Sequence, residues 1–254
     1  MCSVPPLGAL NKQTRTYVYP AIASKQDMYV CPECDKDLIL RKGTIRVPHF
    51  AHCKDDNPCH YYSKPTEAQV HKDAKLLLKR LLESGQQLLF RRKCPDSCCP
   101  NRDKPEEYEI PAYSSSSQIV IEHRFDYNGP KIADVAYLDN KELVAIFEIC
   151  NTHRTAETAR PEPWFEVDAY TLINSVNRGD THIDCIRHVL CEDCVPVKCH
   201  RCTEEIPRHI ANLSPSGLWC RLCTMDMRET DYFIVPYADK NIIKKIRWPF
   251  RSVL

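Results

Sequence analysis

Ile132-Ala-Asp-Val-Ala-Tyr-Leu138 and Leu143-Val-Ala-Ile-Phe-Glu-Ile149 are adjacent apolar runs, each interrupted by one acid, Asp134 and Glu148. Short runs rich in Val, Ile, Tyr and Phe between turn residues read as strands. A carboxylate inside a strand is costly to desolvate unless something compensates its charge, so two on neighbouring strands point to a shared hard cation. Gln118 to Tyr127 reads as a strand ahead of them, and Asn128-Gly-Pro130 and Asp139-Asn-Lys141 supply the turns of an antiparallel meander. Upstream, Thr66 can cap a helix over 66–84 in which Val70, Ala74, Leu77, Leu78 and Leu81 recur at helical spacing until Ser84-Gly85 stops it. Gln87 to Arg92 reads as a further strand and Ser114 to Ser117 as a loop. Downstream, Thr155 to Arg160 reads as a short helical turn and Trp164 to Ala169 as a strand. The predicted class is α/β of the α+β kind, with a core at 65–184 between a small module at 1–64 and a cysteine-rich region at 185–254.

With 254 residues, 43% apolar, 27% charged and a formal net charge of +1, the composition is that of a globular protein. No apolar run reaches membrane-spanning length, and Met1 to Gly8 lacks the basic and apolar regions of a signal peptide, so an intracellular protein of cytoplasm or nucleus, or of a virion, is expected. The near-neutral balance provides no general field for nucleic acid. Contacts with DNA would have to come from local clusters such as Arg91-Arg92-Lys93 or Lys244-Lys245-Ile-Arg247.

Eight of the sixteen cysteines fall in four Cys-x2-Cys pairs, which in such a chain read as zinc sites rather than disulfides. Cys31-x2-Cys34 and His49-x2-His52 are chelating pairs separated by 14 residues, enough for a hairpin that brings four ligands to one tetrahedral ion. The alternative is that the histidines lie on the surface and Cys53 and Cys59 complete the site. Cys199-x2-Cys202 with Cys220-x2-Cys223 has the spacing of a zinc ribbon. Cys191-x2-Cys194 lacks a local second pair, and so do Cys94, Cys98 and Cys99. Cys94 with Cys98 or Cys99 can meet Cys191 and Cys194 in space around a third zinc, or these are free thiols. Closed four-ligand sites of this kind are structural.

Carboxylates at Asp134 and Glu148, with Glu67 on the helix and Glu122 on the preceding strand, suit Mg²⁺ or Mn²⁺ held against a phosphate. Ion pairs with Arg124 or Arg154 are the structural alternative. Cys31-Pro-Glu-Cys34, His49-Phe-Ala-His52, the helix with Glu67, His71 and Lys75, Ala133-Asp134-Val135, Ala145-Ile-Phe-Glu148-Ile149, Asn151-Thr-His153 and Trp164-Phe-Glu-Val-Asp168 resemble, in that order, the CoiA-like competence nuclease family. That family resembles restriction-type PD-(D/E)xK nucleases and has relatives in large DNA viruses. The resemblance implies a restriction-endonuclease-like core, DNA as substrate, and Asp134 and Glu148 as ligands of a catalytic Mg²⁺ or Mn²⁺ with Glu67 nearby. It also implies a lysine where this chain has Cys150, so a working site recruits a cation from Lys72, Lys75 or Arg124, with Lys75 the chosen one, or works without one. His71 and His153 are read as proton carriers or as hydrogen-bonded structural groups. A second reading is a catalytically inactive, zinc-stapled protein that binds DNA or builds an assembly such as a virion.

Overall fold

The structure, a computed structural model, describes all residues except 1–4, 54–58, 97, 98, 102, 153, 157–159, 199–204, 208–210, 215, 216 and 221–254. Its described residues form a mixed α+β structure, mostly sheet with two α-helices. The chain divides into two compact units, one of residues 1–91 and 108–187 and the other of 92–107 and 188–254.

In the first unit, β1 (Ala9–Asn11), β2 (Tyr17–Val18), β3 (Tyr29–Val30), β4 (Asp37–Arg41) and β5 (His49–His52) form an antiparallel sheet in the order β2-β1-β3-β4-β5. Helix α1 (Glu67–Glu83) follows. Thr66 caps it reciprocally: its hydroxyl accepts from the Gln69 amide at 3.3 Å, and the Gln69 side chain accepts from the Thr66 amide at 2.9 Å. Its buried stripe of Val70, Ala74, Leu77, Leu78 and Leu81 joins one core with Leu7, Tyr17, Tyr29, Phe50 and Tyr61. Leu7, Tyr17, Tyr29, Phe50 and Tyr61, all within the region 1–64 read as a small module, thus share a core with the helix.

Next come β6 (Leu89–Arg92) and β7 (Glu106–Glu109), then the meander of β8 (Ser117–Asp126), β9 (Pro130–Asp139) and β10 (Glu142–Cys150). Both meander turns use paired positive φ angles, 54° and 103° at Asn128 and Gly129 and 49° and 69° at Asn140 and Lys141, which match the twist of the strands they join. β11 (Trp164–Asp168) adds in parallel to β10, giving the order β11-β10-β9-β8. Helix α2 (Ala169–Arg178) is capped by Asp168, whose carboxylate accepts from the Thr171 amide, and ends at Gly179 with φ of 88°. β12 (His182–Asp184) then pairs in parallel with β6. The helical turn expected at Thr155–Arg160 is absent from its described residues. In the second unit, β13 (Pro196–Lys198) pairs with β14 (Glu205–Pro207), and β15 (Ala211–Ser214) with β16 (Gly217–Cys220). No described helix is long and apolar enough to cross a membrane.

Asp73 of α1 ties the N-terminal sheet to the helix. It is fully buried and accepts from the Gly8 amide at 3.0 Å, the Tyr17 hydroxyl at 2.8 Å and the Tyr61 hydroxyl at 3.0 Å. A Cβ on Gly8 would lie 2.2 Å from the Tyr17 ring, so only glycine permits this approach. Asp73→Ala would strand three buried donors and should cost about 3 kcal/mol or more, a fall of roughly 10 °C in Tm. Burial pushes the Asp73 carboxyl up to about 7 against the hydrogen bonds that lower it. The folded state therefore binds this proton more tightly than the unfolded chain. That contribution is full below the ordinary carboxylate range and is lost as pH rises through about 7. Asp73→Asn should flatten this part of the stability–pH curve in denaturant titrations.

Candidate metal centres and an acidic cleft

Cys31 leaves β3 into a tight knuckle. Its amide donates to Lys36 O at 2.9 Å, the Asp35 amide donates back to Cys31 O at 3.0 Å, and Asp35 takes a φ of 58°. This turn aims Cys31 and Cys34 at one point, where His52 from the end of β5 and Cys59 join them. The four ligand atoms lie within 4.8 Å of one another. Cys34 Sγ is 3.3 Å from His52 Nε2, near the edge of about 3.5 Å expected for a tetrahedron with usual Zn–S and Zn–N lengths. Burial pushes the Cys31 thiol up to about 12, a cost that a bound cation reverses by holding the thiolate.

His49, expected as a ligand, is not in this group. Residues three apart on a strand point to opposite faces, so His49 and His52 cannot both reach one ion from β5. His49 pairs across the sheet with Arg41, and its Nδ1 lies 3.0 Å from Val47 O. Cys59 supplies the fourth donor, while Cys53 is exposed and outside the cluster.

In the second unit, Cys94, Cys99, Cys191 and Cys194 form another group whose ligand atoms lie within 4.8 Å of one another. The Cys194 amide closes the Cys191 turn at 2.9 Å, and Asn101 Nδ2 donates to Asp193 at 2.6 Å, bracing both loops. The two half-sites expected to meet do meet, with Cys99 in the group; Cys98 lies outside the described residues. Of the expected zinc ribbon, Cys199, Cys202 and Cys223 also lie outside them, and Cys220 is described only as the last backbone position of β16. Among the described residues two clusters, one of three cysteines and a histidine and one of four cysteines, can thus hold zinc, and both are closed sets of four donors with the character of structural sites.

The acids belong to neither cluster. Helix α1 presents Glu67, His71 and Lys75 at successive four-residue steps, one stripe of its surface. His71 Nε2 is 3.1 Å from Asp134 Oδ2. Lys75 Nζ is 3.7 Å from Asp134 Oδ1 and donates to Glu122 Oε1 at 2.9 Å. Lys75 is buried to 8% exposure, an unusual place for an ammonium group without acids around it. Glu122 adopts a φ of 55° inside β8, a local kink opposite this stripe. Ala133 packs in a small cluster with Ala136, Ile146 and Trp164, whereas Val135 packs in the main core, so β9 changes face at Asp134. Asp134 Oδ2 also accepts the Ile149 amide at 2.9 Å. Burial pushes the Asp134 carboxyl up, but His71, the Ile149 amide and Lys75 together hold it below the usual range.

Glu148 takes a different cation. Its Oε1 accepts from Arg160 Nε at 2.5 Å, and Arg160 also donates to Ile132 O at 2.9 Å while lying over the Phe125 ring. Burial pushes Glu148 up to about 7, opposed by Arg160 and by the Asp134 amide and reinforced by the Asp134 charge. Asp134 and Glu148 thus stand on the adjacent strands β9 and β10 but take different cation partners. Arg160 was not among the expected residues, and nothing in its local sequence marks it. Of the other expected cations, Lys72 pairs with Glu33 at 3.3 Å and Arg124 is exposed. Cys150 is buried, and burial pushes its thiol up. His153 lies outside the described residues.

A cleft of about 280 Å³ opens beside Asp134, lined by Glu67, Ala68, His71, Ile149, Asn151 and Thr152. Asn151 Nδ2 donates to Glu67 O at 2.9 Å, tying the end of β10 to the start of α1. Carboxylate oxygens at Asp134, Glu148 and Glu67 are hard donors of the kind Mg²⁺ or Mn²⁺ takes. Among the described residues the three are not one of the groups whose ligand atoms converge within 4.8 Å, and of the three only Glu67 lines the cleft, so a shared ion would require Glu148 to leave Arg160 and the carboxylates to draw together.

No solved structure matches the chain with significance. A 44-residue stretch is 48% identical to Druantia protein DruB of Escherichia coli (strain UMEA 4076-1), covering 17% of this chain and 8% of that protein's length. Residues 11–62, the segment that carries the Cys31, Cys34, His52 and Cys59 cluster, match the family described as Competence protein CoiA, N-terminal domain, and this match supports a CoiA-like assignment.

Proposed function

We propose that the chain is a nuclease-like protein of restriction-endonuclease type that hydrolyses DNA phosphodiester bonds with Mg²⁺ or Mn²⁺, stapled by structural zinc. The observation that carries this reading is the convergence of His71 and Lys75 on Asp134 beside an open cleft. Lys75 supplies from the helix the cation that Cys150 cannot supply from the third strand. Asp134 and Glu148 would hold the divalent ion with Glu67 near it, and the ion, when bound, polarises the phosphoryl oxygen and acidifies the attacking water. Asp134 orients the His71 ring, which is placed to carry a proton to or from the cleft. Lys75 stabilises charge on the phosphate and keeps Asp134 ionised.

A second reading, a catalytically inactive zinc-held DNA-binding or assembly protein, is favoured by one feature: the Glu148–Arg160 pair satisfies a carboxylate that catalysis would need. The two separate by incubating purified protein with linear and circular DNA, with and without added Mg²⁺. The nuclease reading predicts Mg²⁺-dependent cleavage that Lys75→Ala lowers by about a hundredfold. Absence of cleavage under all ions tried, with DNA binding retained, would establish the inactive reading.

A further inference from the structure

We infer that the β4–β5 hairpin is a duplex-DNA contact surface, with Arg41 and Arg46 on phosphates and Ile45 directed into a groove. This deepens the reading that DNA is the partner and rests on it. The hairpin has two faces. Leu38, Leu40 and Phe50 point into the core, while Ile39 and Arg41 point out, paired across the sheet with Ala51 and His49. The histidine that strand parity removes from the zinc site thus stands beside Arg41 on the outer face.

The tip beyond it is unusually apolar for an exposed turn: Ile45 is 96% exposed and Val47 59%. It is also held in place. Lys42 Nζ donates to Ala21 O at 2.8 Å and Ala23 O at 3.2 Å, and the zinc cluster closes the far end of β5 at His52. Residues 38–53 carry Arg41, Lys42 and Arg46 and no Asp or Glu, in a chain whose net charge is only +1. Neither Arg41 nor Arg46 has an acidic partner among the described residues.

Charge complementarity selects the occupant. A polyanion neutralises the arginines, and a two-stranded ribbon is of the size that enters a DNA groove. Apolar side chains at such a tip can wedge against base edges. The exposed residues of the tip include no Trp or Tyr, the aromatic anchors of membrane interfaces.

The test measures binding of full-length protein to a fluorescent duplex by anisotropy across a salt series without Mg²⁺. The Arg41→Gln/Arg46→Gln variant should bind at least about tenfold more weakly, with a log K against log salt slope shallower by about two. Ile45→Ser should weaken binding a few-fold and leave the slope unchanged. Zinc content and melting temperature of each variant check the fold, and Arg46→Gln alone, at the solvent-exposed tip, serves if the double variant is perturbed. An affinity change under twofold with an unchanged slope overturns the inference. So does loss of binding to anionic phosphatidylserine vesicles without loss of DNA binding, or a wild type that binds no DNA. Duplex binding lost with the arginines but no cleavage by wild type would leave this surface standing and remove the nuclease reading. Asp134-dependent cleavage with binding indifferent to both arginines would do the reverse.

Discussion

Cys59→Ser should release one zinc ion per chain, and His49→Ala should release none. The first cluster holds Cys31, Cys34, His52 and Cys59 within 4.8 Å, leaving no fourth donor when Cys59 is lost. Structural zinc contributes about 10–16 kcal/mol of apparent binding free energy in small metal-dependent modules, far more than the net stability of a typical domain. The effect extends beyond the ion because Cys59 precedes two anchoring tyrosines. Tyr61 donates to the buried Asp73, and Tyr62 donates to Gly8 O at 2.5 Å and packs edge-on against the His52 ring. Without the metal, this link between the N-terminal sheet and α1 loses its fixed end. Zinc stoichiometry by elemental analysis should fall by one in Cys59→Ser, with melting lowered by more than about 10 °C. Loss of zinc in His49→Ala with none in Cys59→Ser would restore the ligand set of two Cys-x2-Cys and His-x2-His pairs.

Asp134→Ala should lower Mg²⁺-dependent cleavage about a thousandfold or more. That substitution removes a hard donor for the ion and, at the same time, the partner that orients His71 and faces Lys75. The pH dependence carries a second signature. Glu148 sits near pH 7 because burial pushes it up, and only its ionised form is a metal donor. The ionised fraction grows as pH rises through about 7, so the rate at subsaturating Mg²⁺ should climb over that range. High Mg²⁺ should shift the rise to lower pH, since the ion stabilises the carboxylate.

The meander and α1 could be read from residues alone because their signals are local. Apolar runs of seven residues, paired turn residues at Asn128-Gly129 and Asn140-Lys141, and the Thr66–Gln69 cap each act within a few positions. The N-terminal sheet could not be, since strands such as Tyr17–Val18 and Tyr29–Val30 are two residues long and show no period. Helix α2 escaped notice although Asp168 and Gly179 bracket it, because Trp164 to Ala169 reads as a strand that runs straight into its first turn. Strand parity would have separated His49 from His52 had β5 been recognised. The Arg160–Glu148 and Asp73–Tyr17 pairs join side chains distant in sequence, and no spacing rule announces them.

The decisive measurement is the initial rate of duplex DNA cleavage in Mg²⁺ by wild type and by Asp134→Ala at matched zinc content. A wild-type rate that Mg²⁺ switches on and Asp134→Ala abolishes is the predicted result. Equal rates in the two proteins, or no cleavage by either, would contradict a metal-dependent site built on α1 and the β9–β10 seam.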